Sequence, residues 1–175
     1  MTSTAPAQRT FTLTWTLDAS PAEVFRAWTD PDHLQWFYNP NNPVPDDPIE
    51  LDLRVGGAWR QRMVISEQTS YVTGGVYREI VRDEKLVFAW GATDGWPKLD
   101  PDRLDDGPQV TVTLNQVDGR TEMSVHVELP ANLPDDGVPE WWGMVRDGMR
   151  ATVDRLAAAL GREDGSDAED GDPTA

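Results

Sequence analysis

The chain has 175 residues, a net charge of −16, 38% hydrophobic residues and no cysteine. This length fits one domain, and the lack of cysteine excludes disulfides and thiolate metal sites. The acidic balance excludes a nucleic-acid interface, which needs a basic stripe, and disfavours an anionic membrane surface for the same electrostatic reason.

The two ends of the chain are predicted to be disordered tails. Residues 1–8 hold only Met1 as a large apolar side chain, and the acidic residues 162–175 hold none. Neither end can therefore bury enough surface to offset the entropy of ordering, and the predicted domain covers residues 9–161. The sequence shows no signal peptide and no apolar run of membrane-spanning length, which predicts a cytoplasmic protein.

The chain is predicted to begin with a strand followed by two short helices. Residues 10–17, TFTLTWTL, alternate between apolar residues and threonines, which is typical of a half-buried strand. Residues 20–23, SPAE, form a capping box with proline at the first helical position. Asp30-Pro31 ends this helix and caps a second short one that carries Trp36 and Phe37.

Six further strands and one long helix are predicted after a proline-rich loop. The strands are IELDLRV (49–55), AWRQRMVIS (58–66), YVTGGVYREIV (71–81), KLVFAW (85–90), QVTVTLNQV (109–117) and TEMSVHVEL (121–129). Gly56-Gly57 and Gly74-Gly75 are interpreted as turn or bulge glycines. Residues 139–160 carry apolar side chains at helical spacing, and Gly161 is placed to terminate that helix.

This order of elements predicts an α+β domain of two layers. The sequence runs strand, two short helices, six antiparallel strands and one long helix, without an internal repeat. A twisted antiparallel sheet can bury its concave face against a single long helix.

Four of these segments together resemble a known superfamily. They are ASPAEVFRAWTDPDHLQWF, GGAWRQRM, GGVYREIVRDEKLVFAW and WWGMVRDGMRATVDRLAAAL. In this order, over residues 10–160, they resemble the SRPBCC superfamily with its START-like (Bet v 1-like) helix-grip fold. Within it they are most similar to the branch named after the activator of Hsp90 ATPase, its C-terminal-domain-like members. The resemblance implies a seven-stranded antiparallel sheet that grips a long C-terminal helix around a cavity.

The resemblance also implies what the cavity does. Many members bind apolar small molecules there, and some polyketide cyclases and related enzymes catalyse in it. From the parity of the strands and the helix stripe, the predicted cavity wall consists of Trp36, Phe37, Trp59, Met63, Tyr77, Phe88, Trp90, Val112, Met123, Val125, Trp142, Val145 and Met149. Trp36 and Phe37 are assigned to the rim of the mouth. The alternative is that the rings only fill the core.

The sequence contains little evidence for a catalytic site or a metal site. His33 and His126 are the only imidazoles, and their separation predicts no metal site. The sequence shows no Ser-His-Asp order and no phosphate loop. Glu79 is expected to pair with Arg60 or Arg62. No residue is assigned as catalytic, although the acid–base candidates on strands that face inward are Tyr77, Gln61, His126 and Glu79.

The sequence therefore predicts a protein that binds an apolar or amphipathic small molecule between sheet and helix, without a cofactor. One alternative is an enzyme of the cyclase or aromatase type, which needs at least two polar groups converging in the cavity. The other is a co-chaperone-like protein-interaction module. The loop that carries Trp96 is predicted to be a mobile lid, with a ring folded back on the sheet edge as the alternative.

Overall fold

A computed structural model describes residues 9–38, 41–46, 48–93, 102–130, 134, 136, 138 and 142–160. The strands are β1 (Thr10–Leu17), β2 (Glu50–Leu51), β3 (Ala58–Ser66), β4 (Thr69–Val81), β5 (Lys85–Thr93), β6 (Gln109–Val117) and β7 (Arg120–Glu128). The helices are α1 (Pro21–Thr29) and α2 (Trp142–Ala159), with 3₁₀ turns at Pro31–His33, Gln35–Phe37 and Leu104–Asp106. The predicted tails (1–8 and 162–175), the Trp96 lid and Gly161 lie outside the described residues.

All seven strands form one antiparallel sheet. Its order is β1-β7-β6-β5-β4-β3-β2, so the first strand of the chain lies at one edge beside the last. In β1 the alternating apolar residues are buried and the threonines are exposed or half-buried, as the sequence predicts. The seven-stranded sheet and the C-terminal helix confirm the predicted helix-grip fold.

Helix α1 begins with the predicted capping box. The Ser20 hydroxyl accepts a hydrogen bond from the Glu23 backbone N–H at 3.3 Å, and Glu23 Oε2 accepts one from the Ser20 backbone N–H at 2.8 Å. The hydrogen bonds from the backbone N–H and then the hydroxyl of Ser20 lower the pKa of Glu23. Both helix-end donors are thereby satisfied.

We expect Ser20→Ala to lower the free energy of unfolding by about 1 kcal/mol, because the cap loses its acceptor. The folded-state pKa of Glu23 is lowered, so its part of the box stabilises the fold above the ordinary carboxyl pKa and is lost as the pH falls through the folded-state value. Ser20→Ala also removes the hydroxyl that donates to the Glu23 carboxylate at 3.1 Å, so by that share the loss should shrink in acid. Urea denaturation at neutral and acid pH measures both effects. Ser70→Ala, at an exposed strand position, is the control and should change stability by less than about 0.5 kcal/mol.

The second predicted helix is instead a pair of 3₁₀ turns. Asp30 ends α1 and its carboxylate accepts from the Asp32 backbone N–H at 2.9 Å, which starts the turn Pro31–His33. The turn Gln35–Phe37 follows directly. Each turn has only three residues, so hydrogen bonds of the i to i+3 type are the ones that fit.

The predicted strand over residues 49–55 is wrong beyond Leu51. Leu53 is 42% exposed and Val55 62% exposed. After Leu51 the chain turns back, since the Asp52 backbone N–H donates to Ala58 O at 3.0 Å and Gly56 takes a positive φ of 87°. The apolar alternation there belongs to a turn and buries no face.

The two glycine pairs have different structural roles. Gly56 occupies the turn before β3, as predicted. Gly74 and Gly75, interpreted from the sequence as turn or bulge residues, lie in the middle of β4 instead. They pair in regular register with β3 and β5, and the bulge of β4 falls after Tyr77.

Helix α2 packs its apolar stripe against the sheet in one core cluster. Trp142, Met149, Val153 and Leu156 are buried, as the helical spacing predicts. The Trp15 indole N–H donates to Asp154 Oδ1 at 2.8 Å and joins the edge strand to the helix. No helix among the described residues is long and apolar enough to cross a bilayer.

Candidate functional site

A cavity of about 380 Å³ lies between α2 and the hairpin end of β3 and β4. The sheet contributes side chains near the β3–β4 turn, the helix contributes its middle turns, and Phe37, Tyr38, Asn42 and Pro43 close a third side. The lining residues are Phe37, Tyr38, Asn42, Pro43, Met63, Val64, Ile65, Tyr71, Thr73, Trp90, Val145, Gly148, Met149, Ala151, Thr152 and Arg155.

Most of the lining is apolar, and part of it is incompletely buried. Met63 and Tyr71 face each other across β3 and β4 and are half-buried. Ile65, at the irregularity where the pairing of β3 with β4 shifts register, also lines the cavity and is 53% exposed. Apolar side chains beside an open volume gain burial when an apolar molecule enters.

A network of rings separates this cavity from the core. Phe37 contacts Trp36 and Trp59 with ring centroids 5.5 and 5.3 Å apart. Trp59 in turn contacts Phe88 at 5.7 Å. Phe37 is therefore the ring at which the packed core ends and the cavity begins.

Five of the predicted wall residues line the cavity. They are Phe37, Met63, Trp90, Val145 and Met149, and their role in ligand binding stays a prediction.

The other eight predicted wall residues do not line this cavity and belong to the buried core cluster, and a role of these residues in ligand binding also stays a prediction. They are Trp36, Trp59, Tyr77, Phe88, Val112, Met123, Val125 and Trp142. Trp36, assigned to the rim, is buried and its indole N–H donates to Ala27 O at 2.9 Å. The prediction included these residues because strand parity identifies the face of the sheet on which a side chain lies. Parity does not identify the end of the sheet at which the cavity forms.

Two polar side chains lie on the sheet side of the cavity, and the structure defines the hydrogen bonds of one and the protonation of the other. The Thr73 hydroxyl donates to Gly91 O at 3.2 Å and accepts from the Trp90 indole N–H at 3.3 Å, which fixes the orientation of that ring. Tyr71 lines the cavity, and burial raises the pKa of its phenol. Tyr71 therefore stays a neutral phenol at physiological pH.

Gln61 lies between Trp59 and Met63 on the same face of β3 and is fully buried. Its Oε1 accepts from the Trp59 indole N–H at 3.3 Å. Since an indole can only donate, this contact fixes which end of the amide is the oxygen. The amide nitrogen Nε2 has no hydrogen-bond partner among the described residues.

Arg155 contributes a guanidinium to the cavity wall. Its Nε and Nη2 donate to the carbonyls of Trp36 and Phe37 at 2.9 and 3.0 Å, and Nη1 donates to Ala151 O at 3.4 Å. Burial lowers the pKa of this guanidinium. The sequence prediction missed Arg155 because it selected apolar residues only. Its spacing from Gly148 and Thr152 on α2 could have indicated a polar margin beside the apolar stripe.

The predicted acid–base candidates do not converge. Glu79 pairs with Lys85 at 3.0 Å, so its expected pairing with Arg60 or Arg62 is wrong. The β4 bulge after Tyr77 places Glu79 opposite Val87, close to Lys85 on β5.

The remaining two titratable candidates are also placed away from the cavity. His126 contacts Thr12 Oγ1 at 2.8 Å and Glu128 at 3.4 Å near the β1 edge. Tyr77 is buried in the core, and burial raises its pKa. Within the described residues, no group of three His, Asp or Glu side chains could hold a metal ion.

A second depression of about 430 Å³ lies at the β2 edge of the sheet. Its lining includes Asp52 and Arg54, which pair with each other at 2.7 Å and are both exposed. Although its volume is larger, solvated charges line it, and the cavity beneath α2 is the better candidate for an apolar ligand.

The chain is similar to several solved structures, and no curated protein matches it. Protein CV1439 from Chromobacterium violaceum is 24% identical with a TM-score of 0.66, over 89% of this chain and 99% of that one. An HSP90 activator from Plasmodium falciparum is 19% identical with a TM-score of 0.63, over 89% and 99%. DynU16, a protein of the dynemicin biosynthetic locus, is 18% identical with a TM-score of 0.62, over 88% of this chain and 48% of that one.

These TM-scores show a shared fold and, at identities below 25%, the fold alone. The sequence evidence comes from a family model, described as Activator of Hsp90 ATPase homolog 1-like protein, which matches residues 18–161. That range runs from the end of β1 to the end of α2 and so includes every element that encloses the cavity. The chain belongs to this family of proteins similar to activator of Hsp90 ATPase homolog 1, within the SRPBCC superfamily.

Proposed function

We propose that this domain binds an apolar or amphipathic small molecule in the cavity between α2 and strands β3 to β5. The observation that carries the proposal is the cavity itself, about 380 Å³ with a mainly apolar lining. Ligand sites of proteins usually measure about 300–1,000 Å³ and combine apolar walls with a few polar groups. Met63 and Met149 on opposite walls supply flexible side chains that adapt to different shapes.

The lining favours binding over acid–base catalysis. An enzyme of the cyclase type needs two convergent groups that exchange protons. Among the described lining residues the polar side chains carry amide, hydroxyl, phenol and guanidinium groups, without a carboxylate or imidazole. The Thr73 hydroxyl is also engaged by Gly91 and Trp90. DynU16, from a biosynthetic locus, shares the fold only.

Filling the cavity tests the proposal. We expect Met149→Trp to abolish binding of a neutral hydrophobic dye such as Nile red, because the indole occupies the volume that the dye would take. The free energy of unfolding should change by less than about 1 kcal/mol, since the added volume enters open space. Fluorescence titration measures binding, and urea denaturation measures stability.

Val153→Trp is the matched control. Val153 lies one turn further along α2 and is fully buried in the core cluster, so the same ring has no space and should cost about 1–3 kcal/mol or more. If the parent protein binds no dye and Met149→Trp destabilises as much as Val153→Trp, the binding proposal is wrong. A protein-interaction role, of the kind that the name of the Plasmodium relative describes, then becomes the first hypothesis.

A further inference from the structure

Arg155 is the one charged side chain among the described residues that line the cavity. A positive charge in this lining is unexpected, because an apolar cavity disfavours charge. The chain as a whole is acidic, with a net charge of −16. The side chain is half-buried, so it is partly withdrawn from the water that would otherwise solvate it. The groups that contact the guanidinium therefore determine how its positive charge is compensated.

The partners of Arg155 are all neutral. Three of its N–H groups donate to the backbone carbonyls of Trp36, Phe37 and Ala151. A guanidinium has five N–H donors, so one N–H on each terminal nitrogen has no acceptor among the residues that the structure describes. No Asp or Glu among the described residues forms an ion pair with it.

These contacts fix the guanidinium at one side of the cavity, and within the described part of the chain its charge has no counter-charge. A half-buried cation whose donors are incompletely used is a site for an anion, and the planar guanidinium fits the two oxygens of a carboxylate. A single arginine balances one negative charge, whereas a phosphate monoester brings about −1.5 to −2. The charge and geometry together favour a carboxylate.

We propose that the ligand of this cavity is an amphipathic carboxylate whose headgroup binds Arg155. Its apolar body lies against Met63 and Ile65 on the sheet and Met149 on the helix, all of which line the same cavity. This inference rests on the proposed function, because it names the headgroup chemistry of the same site.

Arg155 also joins α2 to the turn Gln35–Phe37, so its replacement can disturb the wall of the cavity as well as remove a charge. A matched pair of probes separates these effects. Decanoate and decanol share one alkyl chain and differ in the charge of the headgroup. Calorimetric titration of both into the parent protein and into Arg155→Gln gives the change in the ratio of their dissociation constants.

We expect Arg155→Gln to weaken decanoate binding about tenfold more than decanol binding, as for a lost charge-assisted hydrogen bond. Arg155→Lys should retain part of the preference, because the charge remains. Arg146→Gln is the control, since Arg146 lies on α2, pairs with Asp147 and does not line the cavity. It removes the same net charge and should leave the ratio unchanged.

Four results overturn the inference. Equal weakening of both probes in Arg155→Gln assigns this residue a structural role only. An equal change in Arg146→Gln assigns the effect to net charge. If decyl phosphate binds as tightly as decanoate and depends equally on Arg155, the site binds anions in general and does not select a carboxylate. If neither decanol nor decanoate binds the parent protein, the proposed function itself fails and the headgroup inference fails with it.

Discussion

Leu156→Ala is expected to lower the free energy of unfolding by about 2–5 kcal/mol, which is a large part of the stability of a single domain. Leu156 lies in the C-terminal half of α2, is 0% exposed and belongs to the core cluster. Its truncation removes apolar contact and leaves a void that the close-packed sheet cannot collapse to fill. Helix α2 forms one wall of the cavity, so this contact also supports the candidate site.

Leu160→Ala is the matched control for this experiment. Leu160 follows the end of α2 and is only partly buried against the core, so the same truncation leaves no enclosed void. Its loss should be at most about 1 kcal/mol by urea denaturation. Similar losses for the two variants would mean that α2 is not packed on the sheet as the structure has it.

The core was predictable from the sequence where one periodicity covers a whole element. In β1 the apolar residues recur at every second position and in α2 at every third or fourth. The whole β1 set is buried, and so is most of the α2 set, in which Val145 and Leu160 are partly buried. Such a pattern needs no knowledge of the rest of the chain, because burial of one face is enough to produce it. The capping box before α1 is equally local, and it too was identified correctly.

Short patterns were less reliable. The alternation of Leu51, Leu53 and Val55 predicts a strand, yet the chain turns after Leu51. Three alternating residues are compatible with a tight turn as well as with a strand, and the hydrogen bond from Asp52 to Ala58 decides between them. Whether such a short segment forms a strand or a turn depends on tertiary contacts, and a local sequence pattern carries no information about those contacts.

The position of the cavity along the sheet also could not be predicted from the sequence. Trp59, Gln61 and Met63 share one face of β3, but only Met63 lines the cavity. What differs is how far the helix and the turn at residues 35–37 extend over that face. Arg155 meets the carbonyls of Trp36 and Phe37, which lie more than a hundred residues earlier in the chain, so no local spacing indicates the contact.

Gly75 shows how a sequence signal can be real and its interpretation wrong. The Gly74-Gly75 pair was assigned to a turn or bulge, but Gly75 lies mid-strand between Trp59 on β3 and Trp90 on β5. A Cβ at Gly75 would lie 2.5 Å from Ala89 O and 2.9 Å from Phe88 Cδ2. The requirement for glycine here is therefore close approach of the neighbouring strand and ring, and not a turn conformation.

Gly75→Ala is consequently expected to lower the free energy of unfolding by about 3 kcal/mol, since a backbone carbonyl and a buried ring must both move to admit one methyl group. Gly148→Ala is the opposite case. Its Cβ would meet nothing within 4 Å, and alanine in a helix is favoured by about 0.5–1 kcal/mol, so stability should rise. Urea denaturation of the two variants compares the same added methyl group in a strand and in a helix. A neutral Gly75→Ala would show that β4 and β5 can separate without cost, contrary to the close packing at this point of the sheet.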